Sequence, residues 1–402
     1  APAGDLEKLK IAVKYGADAV YFGGETFSLR AGAGNLTYEE MEEGIAFAHE
    51  RNVKCYLTIN IFAHNRDIEP LTEYMKKISR LDIDAFIVSD PGIISMIQTI
   101  IPDAEIHLST QANMTNYMTA RFWHQMGIKR IVLARELGFD EIRQLRENTP
   151  ENLEYEAFVH GAMCISYSGR CLLSNFMIER DANQGMCAHP CRWKYALVEE
   201  QRPGLYYPIE EDERGTYILN SRDLCMIEHI PELVQSGICS LKIEGRMKSI
   251  FYVATIISTY RKAIDAYCEN PEGYVFNERW MDEVKKVSHR EFTTGFYFHN
   301  PTNKDQNYQT SAYTREYTFT GLVRSYDPKT SYAIVEQRNK MVVGDEIEIF
   351  GPGNDYFVQT LTEMYNEEGE PIEAAPHPQQ ILKIKLNGPA GPDFMVRKKK
   401  EQ

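Results

Sequence analysis

Short apolar runs alternate with amphipathic stretches over the first two-thirds of the chain. The runs are rich in β-branched and aromatic residues, and each ends in a polar or glycine-containing cluster, as buried strands do. They cover residues 17–24, 53–60, 84–92, 105–113, 130–138, 153–161 and 239–245. The stretches between them carry apolar residues at three- and four-residue steps, which predicts helices. Strands that alternate with helices predict a parallel sheet.

The number of strand–helix units favours a barrel. We interpret the opening APAG (1–4) as the end of an eighth strand and residues 246–270 as a long closing helix. Eight such units predict an α/β fold of the (β/α)8 TIM-like barrel type in preference to an open doubly wound sheet. The predicted barrel domain occupies residues 1–300.

One connection within this domain is far longer than the others. Some 77 residues separate the run that ends at 161 from the run that begins at 239, whereas a connection between strand and helix needs only a few. We predict an insertion at 162–238. It leaves the carboxyl end of a barrel strand, which is the face where barrel enzymes keep their active sites.

The pattern changes to strands alone near the end of the chain. A predicted linker covers 301–315, and residues 316–402 contain short apolar runs separated by Gly, Asp, Asn and Pro turns. Strands of this length and spacing predict a small closed antiparallel β-barrel as a second, C-terminal domain.

Composition and charge narrow the class of protein. No apolar run in the 402 residues approaches the length of a membrane span, and the N-terminal residues do not form a secretory signal. We therefore expect a cytoplasmic location and no membrane partner. The net charge of −14 argues against nucleic-acid binding by the whole surface, but it leaves a local basic face open.

Four of the eight cysteines fall within 28 residues, where random placement would put about 0.6. They are Cys164, Cys171, Cys187 and Cys191, with the spacing C-x6-C-x15-C-x3-C. A zinc ribbon would show close C-x2-C pairs, and disulfides are rare in cytosolic proteins. An iron–sulfur cluster needs four thiolates that converge, without a fixed spacing. Iron–sulfur, zinc and unliganded core thiols all remain open from spacing alone.

Polar residues at the predicted strand ends mark the mouth of the barrel, where an active site is expected. The strand ends supply Asn60, Asp90, Gln111, Arg135, His160, Lys242, Glu244 and Arg246. Lys242 and Glu244 lie two residues apart on one face of the last strand, and that face should point inward. Charges inside a barrel are costly unless they meet a partner or a ligand, which indicates a binding site.

Motifs of known hydrolases are missing from the sequence. There is no G-x-S-x-G, and the nearest approach to H-E-x-x-H, the segment 49–53 (HERNV), lacks the second histidine. A cysteine protease needs a thiolate paired with a histidine. Four clustered thiols are more typical of metal ligands than of one nucleophile.

One long motif resembles that of a known family. The pattern E-x-F-x-x-G-x-M-C-x6-C-x-L-S runs from Glu156 to Ser174 and resembles the signature of the collagenase-like peptidase family of unassigned catalytic type, U32. The resemblance covers essentially the whole chain. It includes APAG with GADAVYFG (16–23), SLKIEGRMKS (240–249) and the predicted C-terminal barrel.

The resemblance implies a function other than proteolysis. Within the family, the chain is similar to a bacterial branch that hydroxylates the wobble uridine of certain tRNAs at C5. That branch works without molecular oxygen, with prephenate as the implied hydroxyl donor, and carries a 4Fe–4S cluster. By position the four clustered cysteines would be the ligands, and Cys225 is either an alternative fourth ligand or a buried helix residue. A collagenase-like peptidase and a non-catalytic RNA-binding factor with a structural cluster are the alternatives.

Roles for the site residues follow from the same resemblance. The expected partners are tRNA and a small dicarboxylate, with a paired homologous subunit as a further candidate. Cations suited to bind two carboxylates are Arg30, Arg135, Arg170, Lys242 and Arg246. Asn60, Asp90 and Gln111 are further predicted substrate contacts. His160 and Glu244 are the predicted catalytic residues, although His160 is equally suited to cap its strand.

Overall fold

The computed structural model describes most of the chain outside the cysteine-bearing segment. The described residues are 1–28, 34–163, 171, 173–180, 187–188, 190, 196–198, 206–208, 222–299, 314–353 and 356–400, with the backbone alone at 175–176, 196–198 and 206–208.

Helices and strands alternate up to residue 162, as the sequence predicts, and again from α8 to α9. The helices are α1 (Leu6–Lys14), α2 (Tyr38–His49), α3 (Asn65–Ile78), α4 (Pro91–Ile100), α5 (Tyr117–Gln125), α6 (Phe139–Glu147), α7 (Leu173–Ile178), α8 (Ile230–Gln235), α9 (Ile250–Glu269) and α10 (Glu278–Lys285). The strands of this part are β1 (Ala19–Phe22), β2 (Lys54–Ile59), β3 (Ala85–Val88), β4 (Ile106–Leu108), β5 (Arg130–Val132), β6 (Glu154–Ala162), β7 (Ala196–Val198), β8 (Tyr206–Pro208), β9 (Asp223–Cys225), β10 (Ser240–Ile243) and β11 (Phe292–Thr293).

The seven predicted apolar runs form parallel strands. β1 to β6 lie side by side in sequence order, and each neighbouring pair is parallel. β10 pairs in parallel with β6, and Pro2 forms a parallel bridge to Tyr21 in β1. The predicted α/β architecture with a parallel sheet is confirmed.

Closure of this sheet into a barrel stays a prediction. The Tyr21 hydroxyl donates to the carbonyl oxygen of Ile243 at 2.8 Å, which links β1 to β10. Among the described strands, however, no hydrogen-bonded ladder joins β10 to β1 or to Pro2.

The end of β6 is shared between two partner strands. Its earlier residues pair with β10, while His160 faces Cys225 of the antiparallel strand β9. Gly161 follows with φ +109°, and a Cβ there would lie 2.7 Å from the carbonyl oxygen of Glu244. Only glycine fits that approach. β9, the return strand of the predicted insertion, is thereby fixed beside the carboxyl end of β6, and Cys225 is a strand residue rather than the helix residue that the sequence allowed.

The predicted closing helix is confirmed as α9, which begins a few residues later than expected. Lys248 N donates to the carbonyl oxygen of Gly245 at 2.9 Å, so a turn precedes the helix. The Ser249 hydroxyl then caps it by accepting from Tyr252 N at 3.3 Å. α9 buries a long apolar face against the sheet, and this burial stabilises the side of the parallel sheet that carries β10.

The C-terminal part forms an antiparallel sheet. Its strands are β12 (Tyr317–Asp327), β13 (Tyr332–Gln337), β14 (Met341–Val342), β15 (Glu346–Phe350), β16 (Phe357–Thr360), β17 (Met364–Tyr365), β18 (Ala374–Ala375), β19 (Ile381–Lys385) and β20 (Met395–Lys399). Seven of them follow the order β16-β15-β20-β12-β13-β19-β17. No pairing joins β16 to β17 in the part of the chain that is described, so the closed barrel stays a prediction while the antiparallel sheet is confirmed.

A buried network of charges joins this sheet to α10. Arg397 is 0% exposed, and its Nε and Nη2 atoms lie 2.8 Å from Glu348 Oε2 and 2.9 Å from Glu283 Oε2. Lys286 Nζ lies 2.9 Å from the same oxygen of Glu348. The aromatic rings of Phe251 on α9 and Phe319 on β12 stack on each other, with their centroids 5.6 Å apart. The junction therefore combines apolar packing with a matched set of charges.

We expect Arg397→Met to lower the free energy of unfolding by about 3–5 kcal/mol, because it removes a fully buried cation and leaves two half-buried carboxylates short of a positive partner. Arg324→Met is the matched control: Arg324 also pairs with a glutamate, Glu336, but is 40% exposed, so its loss should cost at most about 1 kcal/mol. Urea denaturation of both variants measures the difference. Equal losses would contradict a stabilising role for the buried network.

In the described part of the chain, no helix has both the length and the hydropathy that crossing a bilayer requires.

Candidate active site

Six of the predicted site residues line one cavity at the carboxyl ends of the parallel strands. They are Asn60, Gln111, Arg135, Lys242, Glu244 and Arg246. We call this space of about 70 Å³ the mouth cavity. Its remaining wall is formed by Tyr21, Thr58, Ile87, Ser109, Thr110, Val132 and Phe158. Residues from distant parts of the chain meet here because parallel strands present their carboxyl ends at one edge.

Lys242 brings a buried positive charge to this cavity. Its Nζ lies 2.6 Å from Glu156 Oε1 and 4.0 Å from the ring centroid of Tyr21. Burial alone would raise the pKa of Glu156, but Lys242 and a hydrogen bond from Ser240 lower it to about 2. The inward charge on β10 thus has a carboxylate partner, and Glu156 counteracts the effect of burial, which lowers the pKa of Lys242.

Two guanidinium groups add to the positive charge. Arg135 Nη1 donates to the carbonyl oxygen of Ala162 at 2.7 Å, and its guanidinium lies 4.0 Å from the ring centroid of Phe158. Arg246 is buried and donates from Nη1 to Ser28 Oγ at 2.8 Å. In these contacts neutral groups hold both side chains, and they fix the two guanidinium groups at the wall of the cavity.

Glu244 is the carboxylate of the cavity wall, and it is half-buried. Its backbone is fixed on both sides: its N–H donates to the carbonyl oxygen of His160 at 2.9 Å, and its carbonyl oxygen accepts from the Tyr252 hydroxyl at 3.1 Å. A carboxylate in the wall of this cavity can accept a proton from a bound substrate.

Side-chain amides complete the polar wall. Asn60 Nδ2 donates to Ser109 Oγ at 3.4 Å, and the same oxygen accepts from the backbone N–H of Gln111 at 3.3 Å. Gln111 lies in a short 3-10 turn (Thr110–Ala112) directly after β4. The turn directs the chain across the cavity, and amide groups there are suited to hydrogen-bond a polar ring edge.

Two predicted residues lie away from the mouth cavity. The Asp90 carboxylate caps α4 by accepting from Gly92 N at 2.7 Å. His160 is buried against α9, with ring centroids 5.6 Å from Tyr260 and 6.0 Å from Tyr252. A substrate-binding role for Asp90 and a catalytic role for His160 stay predictions, and this geometry adds no support to either.

A bulge in β6 explains where His160 points. Lys242 pairs with Phe158 and Ile243 pairs with His160, so Val159 is an extra residue without a partner on β10. A bulge turns the side chain that follows it. Phe158 therefore faces the mouth cavity, whereas His160 packs among aromatic rings on the other side of the strand.

We expect burial of His160 to make stability sensitive to acid. Burial, with Lys248 and His289 nearby, lowers the pKa of His160 from 6.5 to about 3. Between pH 6.5 and about pH 3, the unfolded chain binds a proton at His160 that the folded chain does not bind. The contribution of His160 to the free energy of unfolding is therefore fully present above pH 6.5 and is lost as the pH falls. The loss between pH 7 and pH 5 amounts to about 2 kcal/mol for this residue.

Urea denaturation at several pH values tests this on the wild type and on His160→Phe. The variant should show a shallower fall of unfolding free energy below pH 6.5. Parallel curves for the two proteins would show that His160 does not carry the difference.

Two of the four clustered cysteines lie within the described residues. Cys171 and Cys187 are half-buried, and neither forms a disulfide. Ala188 N donates to Ser174 Oγ at 3.1 Å, so the segments that carry the two cysteines adjoin. Thiols on adjoining segments fit the donor set of an iron–sulfur cluster. The other two cysteines, Cys164 and Cys191, lie outside the described residues, as do Arg30 and Arg170.

Cys225 is buried in β9, and burial raises the pKa of its thiol to about 12. This placement favours a packing role over a fourth ligand. The apolar surroundings of Cys55, Cys239 and Cys268 in the sequence predict three buried core residues. Cys55 is buried, whereas Cys239 and Cys268 are exposed, which corrects the prediction for those two.

A second cavity of about 760 Å³ opens at the opposite, amino ends of the strands. Asp18, Lys54 and Arg130 are among the residues that line it. Substrates of parallel α/β folds bind at the carboxyl ends of the strands. We therefore assign the site to the mouth cavity, although it is smaller.

Comparison with known proteins places this architecture in one family. The sequence model of peptidase family U32 matches residues 4–307, and that of the U32 C-terminal domain matches residues 315–397. The chain belongs to peptidase family U32. The family resemblance predicted from the cysteine-bearing motif is confirmed.

Relatives of this U32 chain carry different names. A tRNA hydroxylation protein P1 from Bacillus subtilis is 45% identical over 400 residues, which cover 100% of this chain and 94% of the relative. A collagenase from Porphyromonas gingivalis is 32% identical over 392 residues, covering 95% of this chain and 92% of the relative. A 23S rRNA 5-hydroxycytidine synthase from Escherichia coli is 35% identical over 268 residues, covering 67% of this chain and 39% of the relative.

Several wall residues of this U32 site were missed from the sequence. Tyr21, Thr58 and Ser109 line the mouth cavity beside the predicted set. A signal for Thr58 was present, because it lies two residues before Asn60 and therefore on the same face of β2. Tyr21 lies within β1, which is followed by two glycines, and nothing in its neighbourhood marks it as polar lining.

Proposed function

We propose that this U32 protein is a cytoplasmic enzyme that hydroxylates C5 of the wobble uridine in tRNA. It acts without molecular oxygen, with prephenate as the hydroxyl donor and a 4Fe–4S cluster as the cofactor. The two relatives named for hydroxylation of tRNA and for 5-hydroxycytidine in rRNA support RNA hydroxylation at C5 of a pyrimidine.

The observation that carries the proposal is the charge of the mouth cavity. Lys242, Arg135 and Arg246 line it together with one carboxylate, Glu244, so its wall contains three cationic side chains and one acidic one. A volume of about 70 Å³ is far below the several hundred Å³ of a pocket for a whole ligand. It fits one carboxylate end of a dicarboxylate, which the cations would hold.

The remaining wall residues suit the base. Asn60 and Gln111 present amide groups that match the donor and acceptor pattern of a uracil edge. The base has to leave the stack of the anticodon loop to reach them. As the bond between C5 and oxygen forms, the carbon–oxygen bond of the prephenate hydroxyl would break and the prephenate carbon would keep the electron pair. Glu244 would accept the proton that C5 loses.

The donor set in the cysteine-bearing segment fits an iron–sulfur cluster. Cys164, Cys171, Cys187 and Cys191 would be the ligands, and the two that are described lie on adjoining segments. A cluster bound there supplies electron transfer or polarises a substrate oxygen. β9 holds the return end of the segment beside the mouth cavity.

Nucleoside mass spectrometry of tRNA tests the proposed activity. A bacterial strain that lacks its own tRNA hydroxylation genes should regain 5-hydroxyuridine derivatives when it expresses this chain, both with and without air. An unchanged nucleoside profile would remove tRNA hydroxylation as the function.

The relative named collagenase keeps peptidase activity as a second candidate. Among the described residues that line the mouth cavity, none is a histidine or a cysteine, so this wall lacks the nucleophile–base pair of a thiol protease. Gelatin cleavage that survives loss of the four clustered cysteines would favour the peptidase over the hydroxylase.

A further inference from the structure

Glu156 is a buried carboxylate in the middle of β6, and it is 3% exposed. One carboxylate oxygen, Oε1, lies 2.6 Å from Lys242 Nζ. The other, Oε2, accepts from Ser240 Oγ at 2.7 Å and lies 3.7 Å from Arg130 Nη1. Both oxygens are occupied by groups of the neighbouring strands, so the carboxylate has one orientation.

Lys242 is restrained on its other side as well. Its ammonium lies 4.0 Å from the Tyr21 ring centroid, and the Tyr21 hydroxyl is bonded to the carbonyl oxygen of Ile243. A lysine side chain is flexible and readily loses its proton when it is buried. Glu156 and Tyr21 together hold the ammonium of Lys242, a residue that lines both the mouth cavity and the second cavity.

Positive charge surrounds this lysine. The charged groups around Lys242 are Glu156 on β6, Arg130 on β5, Arg135 shortly after β5, Glu244 and Arg246 just after β10, and the amine of Ala1. Arg130 is paired mainly with Glu154, at 2.6 Å. Glu156 is therefore the carboxylate in direct contact with Lys242 that offsets its cationic neighbours.

We propose that Glu156 is a positioning residue that keeps the Lys242 ammonium charged and fixed toward the anionic end of the co-substrate. The identity of that co-substrate rests on the proposed function, whereas the contact between the two side chains does not. Glu156 itself lies behind Lys242 and does not touch the substrate.

Loss of the carboxylate has a defined consequence for Lys242. In Glu156→Gln the lysine keeps its cationic neighbours but loses its counter-charge, so its pKa falls and its side chain becomes mobile. Glu154→Gln is the matched control, because Glu154 lies on the same strand and binds the same arginine without a contact to Lys242. Glu156→Asp keeps the charge but withdraws it by one methylene group.

Carbamylation of the anaerobically purified full-length protein by cyanate, followed by peptide mass spectrometry, reports the neutral form of Lys242. We expect the half-reaction pH of this lysine to fall by at least about one pH unit in Glu156→Gln, a tenfold change in its neutral fraction. The half-reaction pH of Lys242 in Glu154→Gln should stay within about 0.3 pH units of the wild-type value. In Glu156→Asp it should lie between the values of the wild type and of Glu156→Gln. The Michaelis constant for prephenate should rise about tenfold in Glu156→Gln alone.

An unshifted carbamylation profile in Glu156→Gln, or an equal shift in Glu154→Gln, would overturn the inference. If Glu156→Gln does not fold, Glu156→Asp replaces it, since that variant withdraws the carboxylate from Lys242 and should shift the profile in the same direction by a smaller amount. A shifted profile in a protein that does not hydroxylate tRNA would retain the positioning role and reject the proposed function.

Discussion

Loss of a single cysteine at position 171 or 187 is expected to empty the metal site. We expect Cys171→Ala and Cys187→Ala, purified without air, each to lose most of their iron and acid-labile sulfide. Hydroxylation should fall at least about a hundredfold. The physical reason is that four thiolates share one cluster, and a cluster with an open iron is easily lost to solvent. Iron and sulfide analysis, with the visible absorption of the protein, measures the effect.

The chain offers matched controls for this experiment. Cys225→Ala removes a thiol that is buried in β9, and Cys268→Ala removes an exposed one. Both variants should keep wild-type iron. If Cys225→Ala instead loses its iron while Cys187→Ala keeps it, Cys225 is the ligand and the assignment of the four changes. Full iron in every variant would contradict a cysteine-bound cluster.

Glu244→Gln should abolish most of the activity while the protein stays folded. Glu244 is the carboxylate of the mouth cavity, and a general base typically contributes about 10²–10⁴ in rate. The amide keeps the size of the side chain, so the unfolding free energy should change by less than about 1 kcal/mol. Turnover under saturating tRNA and prephenate measures the loss.

His160→Phe is the contrast to that variant, because both positions were predicted as catalytic. His160 lies among the rings of Tyr252, Tyr260 and Phe292 and not in the wall of the cavity. We expect His160→Phe to retain turnover within about threefold and to change stability instead. A loss of turnover in His160→Phe with an active Glu244→Gln would reverse the two roles.

Much of the fold could be predicted from hydrophobic periodicity. The seven apolar runs became β1 to β6 and β10, because buried parallel strands leave a continuous apolar signal. The polar residues at the predicted strand ends include six of the residues that line the mouth cavity. Prediction succeeded for Asn60, Arg135 and Lys242 because parallel strands present their carboxyl ends at one edge of the sheet. The position of a residue along its strand is then enough to predict its place in the fold.

Prediction was less successful where contacts between distant segments determine the orientation or the partner of a side chain. The bulge at Val159 turns His160 away from the cavity, and nothing in the local sequence marks the extra residue. Asp90 ends a strand but also precedes Pro91, and the capping bond takes its carboxylate. The partner of Lys242 is Glu156, 86 residues earlier in the chain, which only the pairing of β6 with β10 brings into contact.

The C-terminal sheet shows the same limit. The run at 355–366 reads as one strand, but the chain divides it into β16 and β17, which pair with β15 and β19 on opposite edges of the sheet. The buried Arg397 network also depends on α10 meeting β15 and β20. Such contacts between distant segments leave no periodic trace in the sequence.

The most direct test of the account is an anaerobic reaction of the purified, iron-replete protein with an unmodified tRNA transcript and prephenate. Mass spectrometry of the anticodon fragment should show the wobble uridine heavier by one oxygen atom, and this product should be absent with the Cys171→Ala protein. A wobble uridine that stays unmodified with the iron-replete wild type, or one that is modified equally by Cys171→Ala, would contradict hydroxylation by a cysteine-bound cluster.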